Sequence, residues 1–190
     1  MHASLLAFSS LVCALVAAAP SIASAQAIPR PSIELYGGYS YLRDPGNSVL
    51  AATAGDDSFR IGWAAGAARP VWRAIAAVGE ASGHYKTRTT FDDDVRLSFH
   101  AFLGGPRASM TVGPVIEFVQ ILAGAVHSRG SAFGVTAATT DLSLQPGGGV
   151  DYPLGSRVAA RLQLDYRWIK GDGDRHAASQ FRAVAAIVLH

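Results

Sequence analysis

Apolar and polar side chains alternate through the stretch Val158-Ala-Ala-Arg-Leu-Gln-Leu-Asp-Tyr-Arg-Trp168. Val158, Ala160, Leu162, Leu164, Tyr166 and Trp168 share one parity, and Arg161, Gln163, Asp165 and Arg167 share the other. Successive side chains of a strand point to opposite faces, so this pattern predicts a strand with one oily and one charged face; a helix would mix the two sets. Strand character recurs near 32–43, 59–70, 74–87, 96–110, 114–127, 140–152 and 179–190, which with 156–169 makes eight strands separated by turn signals. A soluble barrel or sandwich would turn the oily faces inward. A membrane barrel would turn them outward.

The connections alternate in length. Polar segments Asp44–Ser58, Arg88–Val95, Ser128–Thr139 and Gly171–Ala178 follow the odd-numbered strands, while Val71–Arg73, Thr111–Gly113 and Pro153–Gly155 follow the even-numbered ones. Long loops at one end and tight turns at the other are the habit of outer-membrane barrels. The aromatic positions follow the same polarity. Tyr39, Tyr41, Trp63, Tyr85, Phe99, Tyr166, Trp168 and Phe181 fall toward the long-loop end, and Trp72 and Tyr152 toward the short-turn end. Aliphatic and small residues such as Ala65, Ala67, Ala81, Leu162, Leu164, Ala185 and Ile187 lie between them. Two aromatic girdles around an aliphatic band suit the two interfaces of a bilayer.

The opposite parity gathers Glu34, Glu80, Asp151 and Asp165 with Arg60, Arg161, Arg167 and Arg182, accompanied by Ser82, His84, Ser98, His100, Gln145, Gln163 and Gln180. Side chains fill the inside of an eight-stranded barrel, so charges placed there are expected to pair in a polar network. An arginine on the lipid face instead would cost roughly 2–4 kcal/mol at the midplane. Two places resist this assignment. Arg107 falls on the outward parity, for which a bulge near Gly104-Gly105-Pro106 is the expected remedy, and Glu117 shares parity with Val119 and Ile121, which suits a position low enough to reach the periplasmic interface.

Composition narrows the choice. Charged residues make up only 16% of the 190, the formal net charge is +2, and the basic and acidic residues are mixed, so no footprint for nucleic acid is visible. Beyond the N-terminal segment no apolar run approaches the roughly 20 residues of a spanning helix. Residues 1–27 carry no Asp, Glu, Lys or Arg, and an apolar core from Leu5 to Ala19 is followed by Pro20 and small residues, which predicts a secretory signal peptide cleaved near Gln26 or Ile28. Cys13 lies within that core, so the mature domain, 28–190, holds no cysteine and is expected to take its stability from a closed, hydrogen-bonded sheet.

Glu34-Leu-Tyr-Gly-Gly-Tyr-Ser-Tyr41 resembles the first strand of small bacterial outer-membrane β-barrel proteins of the OmpA-like and opacity-like type. Gly62-Trp-Ala-Ala-Gly-Ala67, Val78-Gly-Glu-Ala-Ser-Gly-His-Tyr85, Phe102-Leu-Gly-Gly-Pro-Arg107, Gly147-Gly-Gly-Val-Asp-Tyr152 and the segment from Val158 through Phe181-Arg182 continue the resemblance in barrel order. It implies an all-β, eight-stranded antiparallel up-and-down transmembrane barrel located in the bacterial outer membrane and inserted there by the barrel-assembly machinery. The sequence ends Ile187-Val-Leu-His190 without the aromatic residue that such barrels often carry, and anchoring to the cell wall through a peptidoglycan-binding domain is not expected.

The candidate chemistry is sparse. His84, His100 and His127 invite comparison with lipid-modifying barrels, whose acyl chemistry needs a lipid-facing Ser and His with an orienting carboxylate. Adjacent His127 and Ser128 point to opposite faces of a strand, and a polar interior accounts for His84 and His100. Asp92-Asp93-Asp94 and Asp172-Gly173-Asp174 lack the spacing of a calcium loop, and Gly147-Gly148-Gly149 lacks the Lys and helix of a phosphate cradle, so crowding relief or a bulge explains the glycines. The expectation is a monomeric barrel without catalytic residues, metal or cofactor. Its roles would be structural or surface-interacting, with an unnamed loop partner and at most weak passage of small solutes. The two rivals are a deacylase-like lipid-modifying enzyme and a secreted lipocalin-like barrel holding a hydrophobic ligand.

Overall fold

A computed structural model describes residues 33–44, 58–90, 93–132, 135–170 and 178–190. The expected signal peptide and the loop segments 45–57 and 171–177 lie outside those residues. Eight long strands, β1 (Glu34–Arg43), β3 (Ile61–Trp72), β4 (Ile75–Thr90), β5 (Asp93–Val112), β6 (Val115–Ala132), β7 (Val135–Pro153), β8 (Val158–Ile169) and β9 (Ala178–Leu189), are joined by the two-residue β2 (Ser58–Phe59). Each long strand pairs antiparallel with the next long strand in sequence, β2 pairs with β1, and β1 pairs with β9 from Leu35↔Leu189 to Arg43↔Phe181, which closes the sheet into a barrel. Closure pairs both edges of the sheet along the barrel, while above it Val135–Leu142 of β7 has no β8 partner among the described residues.

The alternation that defines β8 decides which face is covered. Arg161 and Arg167 are 1% and 0% exposed, whereas Leu162 and Leu164 are 63% and 70% exposed. That is the reverse of what a soluble barrel requires, because the charged parity lies inside. The same sense holds on β9, where Gln180, Arg182 and Val184 are buried and Phe181 and Ile187 are exposed.

Three expectations need correcting. Strand β5 is inverted along its whole length: Phe99, Ala101, Leu103 and Arg107 point inward, and Ser98, His100 and Phe102 point outward. No bulge intervenes, since Val78↔Gly105 and Ala76↔Arg107 continue the register of Gly83↔His100. The inward side chains of β5 above Arg107 are apolar and pack with Leu122 and Val126 of β6 in a core cluster, so reading polarity as inwardness selected the wrong face. Arg60 does not enter the interior either. Tyr39 pairs with Trp63 but Leu42 pairs with Phe59, so four steps on one side oppose three on the other, and exposed Arg60 is the extra residue. Phe59 takes the buried place and meets Phe99 edge to face at 5.0 Å.

The third correction concerns the loops. Most of 88–95 and 128–139 is strand, with pairing that continues to Thr90↔Asp93 and Ala132↔Val135. These extensions are polar and rich in β-branched threonine, including Thr87, Thr136, Thr139 and Thr140, so they keep strand propensity without an alternating pattern. Strands β5, β6 and β7 run 20, 18 and 19 residues, well beyond the roughly 9–11 that cross a bilayer. One side of the barrel therefore stands as a taller wall at the long-loop end.

Candidate functional site

The buried charges form two tiers, each with two carboxylates and two guanidiniums. In the tier nearer the short turns, Arg161 grips Asp151 bidentately through Nε at 2.7 Å and Nη2 at 2.6 Å, and the same Nη2 donates to Glu34 at 2.7 Å. Arg107 reaches Glu34 from the opposite wall through Nη1 at 2.7 Å, and its Nε donates to Gln120 Oε1 at 3.0 Å. Both guanidiniums lie over the rings of Phe118 and Tyr36, at 4.5 and 5.5 Å for Arg107 and 4.6 Å to each ring for Arg161. Arginine suits this place because its planar fork matches a carboxylate in plane and an aromatic ring in stack.

The second tier centres on Glu80. Arg182 Nη2 donates to Glu80 at 2.6 Å and to Asp165 at 2.7 Å, so one cation bridges two anions. Gln163 donates to Asp165 and Glu80, and Gln145 donates to Glu80. Arg167 differs. It donates to Gln145 Oε1 at 2.8 Å and Ser82 Oγ at 3.2 Å, and among the described residues no carboxylate pairs with it directly. Tyr36 connects the tiers, its ring stacked against the lower guanidiniums and its hydroxyl donating to Glu80 at 2.8 Å. Toward the long-loop end, His84 Nε2 meets Ser40 Oγ at 2.9 Å and Gln180 donates to buried Asp44.

Glycines make room for these groups. A Cβ on Gly66 would lie 2.5 Å from the Tyr36 ring, and one on Gly147 would collide with the Asp165 carboxylate. The run at 147–149 therefore relieves crowding rather than bulging, as the unbroken register from Leu144↔Trp168 to Gly147↔Asp165 shows.

Of the interior residues expected from sequence, Glu34, Glu80, His84, Asp151, Arg161, Asp165, Arg167 and Arg182 point inward; Arg60 and His100 do not. Arg107 takes the place assigned to Arg60 in the charge balance, and Tyr36 and Gln120 were not singled out. The misfit of Arg107 with an oily face was the available signal for its true direction. Tyr39, Trp63, Trp72, Tyr85, Tyr152, Trp168 and Phe181 are exposed on the outer wall, and Tyr41 and Tyr166 are half-buried there, with Tyr166 edge to face against Phe181 at 5.1 Å. Glu117 is exposed two residues into β6, beside the turn at Gly113-Pro114.

Among the described residues His84, His100 and His127 stand apart from one another's hydrogen-bond partners. Buried His84 faces Ser40 inside the barrel, while outward His100 meets Tyr85 Oη at 3.0 Å and His127 meets Thr140 Oγ1 at 2.9 Å.

No protein-family model matches the chain, and no curated protein matches it significantly in sequence. Solved structures share the fold. Neisserial surface protein A superposes with a TM-score of 0.64 at 11% identity, covering 84% of this chain and 97% of that one. The N-terminal β-barrel domain of OprF from Pseudomonas aeruginosa gives 0.57 at 7% identity, covering 83% and 96%. Ail, the attachment invasion locus protein of Yersinia pestis, solved with the heparin analogue sucrose octasulfate, gives 0.53 at 15% identity, covering 83% and 97%. The chain thus has the closed, eight-stranded antiparallel fold of outer-membrane β-barrels.

Proposed function

We propose that the protein is a monomeric resident of a bacterial outer membrane, inserted there by the barrel-assembly machinery after removal of its leader. In this reading it serves a structural or surface-interaction role and performs no catalysis. One observation carries it: the molecule is inside out, with four paired carboxylates and four guanidiniums enclosed and a belt of exposed Leu, Val, Ile and Phe outside. Covering that belt requires acyl chains. The two charged tiers act as a plug that blocks water-filled conduction, consistent with the side-chain-filled interior of eight-stranded barrels. Interaction then falls to the long-loop end and to the wall raised by β4–β7.

Fractionation of cells producing the full chain tests this reading, followed by gel mobility with and without boiling. Outer-membrane sedimentation with a heat-dependent mobility shift is the expected result. A freely soluble, non-shifting product would refute membrane residence. In planar bilayers the purified barrel should show no steady conductance, and stable ohmic steps would refute the plug.

A further inference from the structure

The outer wall carries a polar patch just above its oily belt. Cross-strand register sets Trp63, Gly83, His100, His127 and Thr140 side by side in one outward row across β3–β7. Trp63 Nε1 donates to Tyr85 Oη at 3.3 Å, which lies 3.0 Å from His100 Nε2. Gly83 permits this, because a Cβ there would stand 2.5 Å from the indole nitrogen. The next outward rows hold Ser98 opposite Arg129, then Arg96 opposite Ser131. Directly opposed residues sit about 5 Å apart and diagonal ones about 7–8 Å. His100, His127 and Arg129 therefore form one contiguous N–H-donating surface. Among the outward side chains of Arg96–Met110 on β5 and Val115–Ser131 on β6 the one carboxylate is Glu117, at the far end of β6.

The row beneath is oily. Phe102, Ala125 and Leu142 face outward, and Phe102 also walls a shallow trough of about 560 Å³ lined by Leu35, Ala65, Ala67, Gly79 and Ala81. A soluble anion would gain nothing from that neighbourhood. A lipid would fill both halves at once.

Resting on the outer-membrane reading, the geometry points to a lateral binding site for a phosphorylated lipid of the outer leaflet. Its phosphate is held by Arg129, His127 and His100, and its acyl chains lie against Phe102, Leu142 and the trough. The leaflet follows from the long-loop end, which faces the cell exterior in such barrels. Thr140 occupies Nδ1 of His127, so its Nε2 lies on the opposite side of the ring from that contact. Guanidinium and imidazole donors recognise phosphate through charge-assisted hydrogen bonds.

The test is native mass spectrometry of the folded full barrel in neutral detergent, with diphosphorylated lipid A, the same lipid dephosphorylated, and inorganic phosphate as probes. The wild type should bind the phosphorylated lipid about tenfold more tightly than the dephosphorylated one, a ratio set by one or two exposed charge-assisted contacts. His127→Gln combined with Arg129→Ser should bring that ratio close to one. Arg129→Gln alone, at an exposed position, should lower it about threefold. Arg69→Ser, an outward charge removed at the short-turn end, should leave it unchanged. An unchanged ratio in the double variant, an equal loss with Arg69→Ser, or displacement of the lipid by equimolar inorganic phosphate would each overturn the site. A chain that never inserts into vesicles refutes membrane residence, whereas one that inserts without a phosphate preference refutes only this site.

Discussion

Glu80→Ala is the sharpest test of the charged interior. Glu80 is 5% exposed and accepts from Arg182 at 2.6 Å, Tyr36 at 2.8 Å, and Gln145 and Gln163 at 3.3 Å each. Truncation removes one anion from a tier of two and orphans the Tyr36 hydroxyl. Breaking a buried ion pair from one side costs about 3–5 kcal/mol, and an orphaned buried hydroxyl costs about 1–3 kcal/mol. Two offsets work against these costs: Arg182 keeps Asp165 at 2.7 Å, and Gln163 keeps its contact with Asp165. The expected net loss is therefore about 4 kcal/mol. For a urea slope of about 2 kcal/mol per molar, the unfolding midpoint in lipid vesicles should fall by about 2 M. The unboiled and boiled gel bands report the folded and unfolded populations. Glu80→Gln keeps the volume and an acceptor for Tyr36, and should lose about half as much. The double variant Glu80→Met with Arg182→Met restores one anion to one cation in the tier, Asp165 with Arg167, and should lose less than the sum of its parts. A loss below about 1 kcal/mol for Glu80→Ala would mean that water screens the tier as it screens a surface pair, and the plug would fall with it.

Leu164→Arg, at an outward position that is 70% exposed, should cost roughly 2–4 kcal/mol in vesicles and nearly nothing if that face were wet, as urea titration would show. Arg161→Met should destabilise by about 3–5 kcal/mol because it takes both guanidinium bonds from Asp151 and leaves Glu34 with Arg107 alone, while Arg167→Met, which abandons no directly paired carboxylate, should cost clearly less. Equal losses in the two would refute the pairing pattern. Gly147→Ala places a methyl against the Asp165 carboxylate and should cost about 1–3 kcal/mol, and Gly147→Ala combined with Asp165→Ser should lose less than the sum of the two single losses.

The closed sheet and the direction of its faces were legible on β1, β4, β8 and β9 because alternation there coincides with charge: Glu80, Arg161, Asp165 and Arg182 admit no place on an oily wall. On β5 the rule weakens. The interior of this barrel is polar where tiers meet but apolar between β5 and β6, so Phe99, Ala101 and Leu103 point inward while Ser98 and His100 point outward. Polarity alone reads such a strand backwards. The single expensive residue, Arg107, reads it correctly, since a guanidinium costs more on lipid than several small or aromatic residues gain there. The same reasoning explains why Arg60 misled. A one-residue bulge at the rim changes facing without any mark in the local pattern, and neighbouring Phe59 can be read either way.

The inverted strand also creates the feature that the alternation concealed. With His100 outward on β5 and His127 outward on β6, two imidazoles face each other across one register position, with Arg129 one row above and Phe102 one row below. Had β5 faced as its polarity suggested, His100 would have joined His84 inside and the outer wall would have ended in aromatic residues. The orientation that brings Arg107 to Glu34 at one end of β5 thus places a phosphate-binding surface at the other, because one strand without a register break cannot turn its two ends to different faces. Inserting one residue at Gly104 breaks that coupling, because His100 and the displaced Arg107 then share a parity: either His100 turns inward and the lipid preference falls, or Arg107 turns outward and the urea midpoint falls. A variant that kept both would show that a bulge absorbs the extra residue and that the two ends of β5 are set independently.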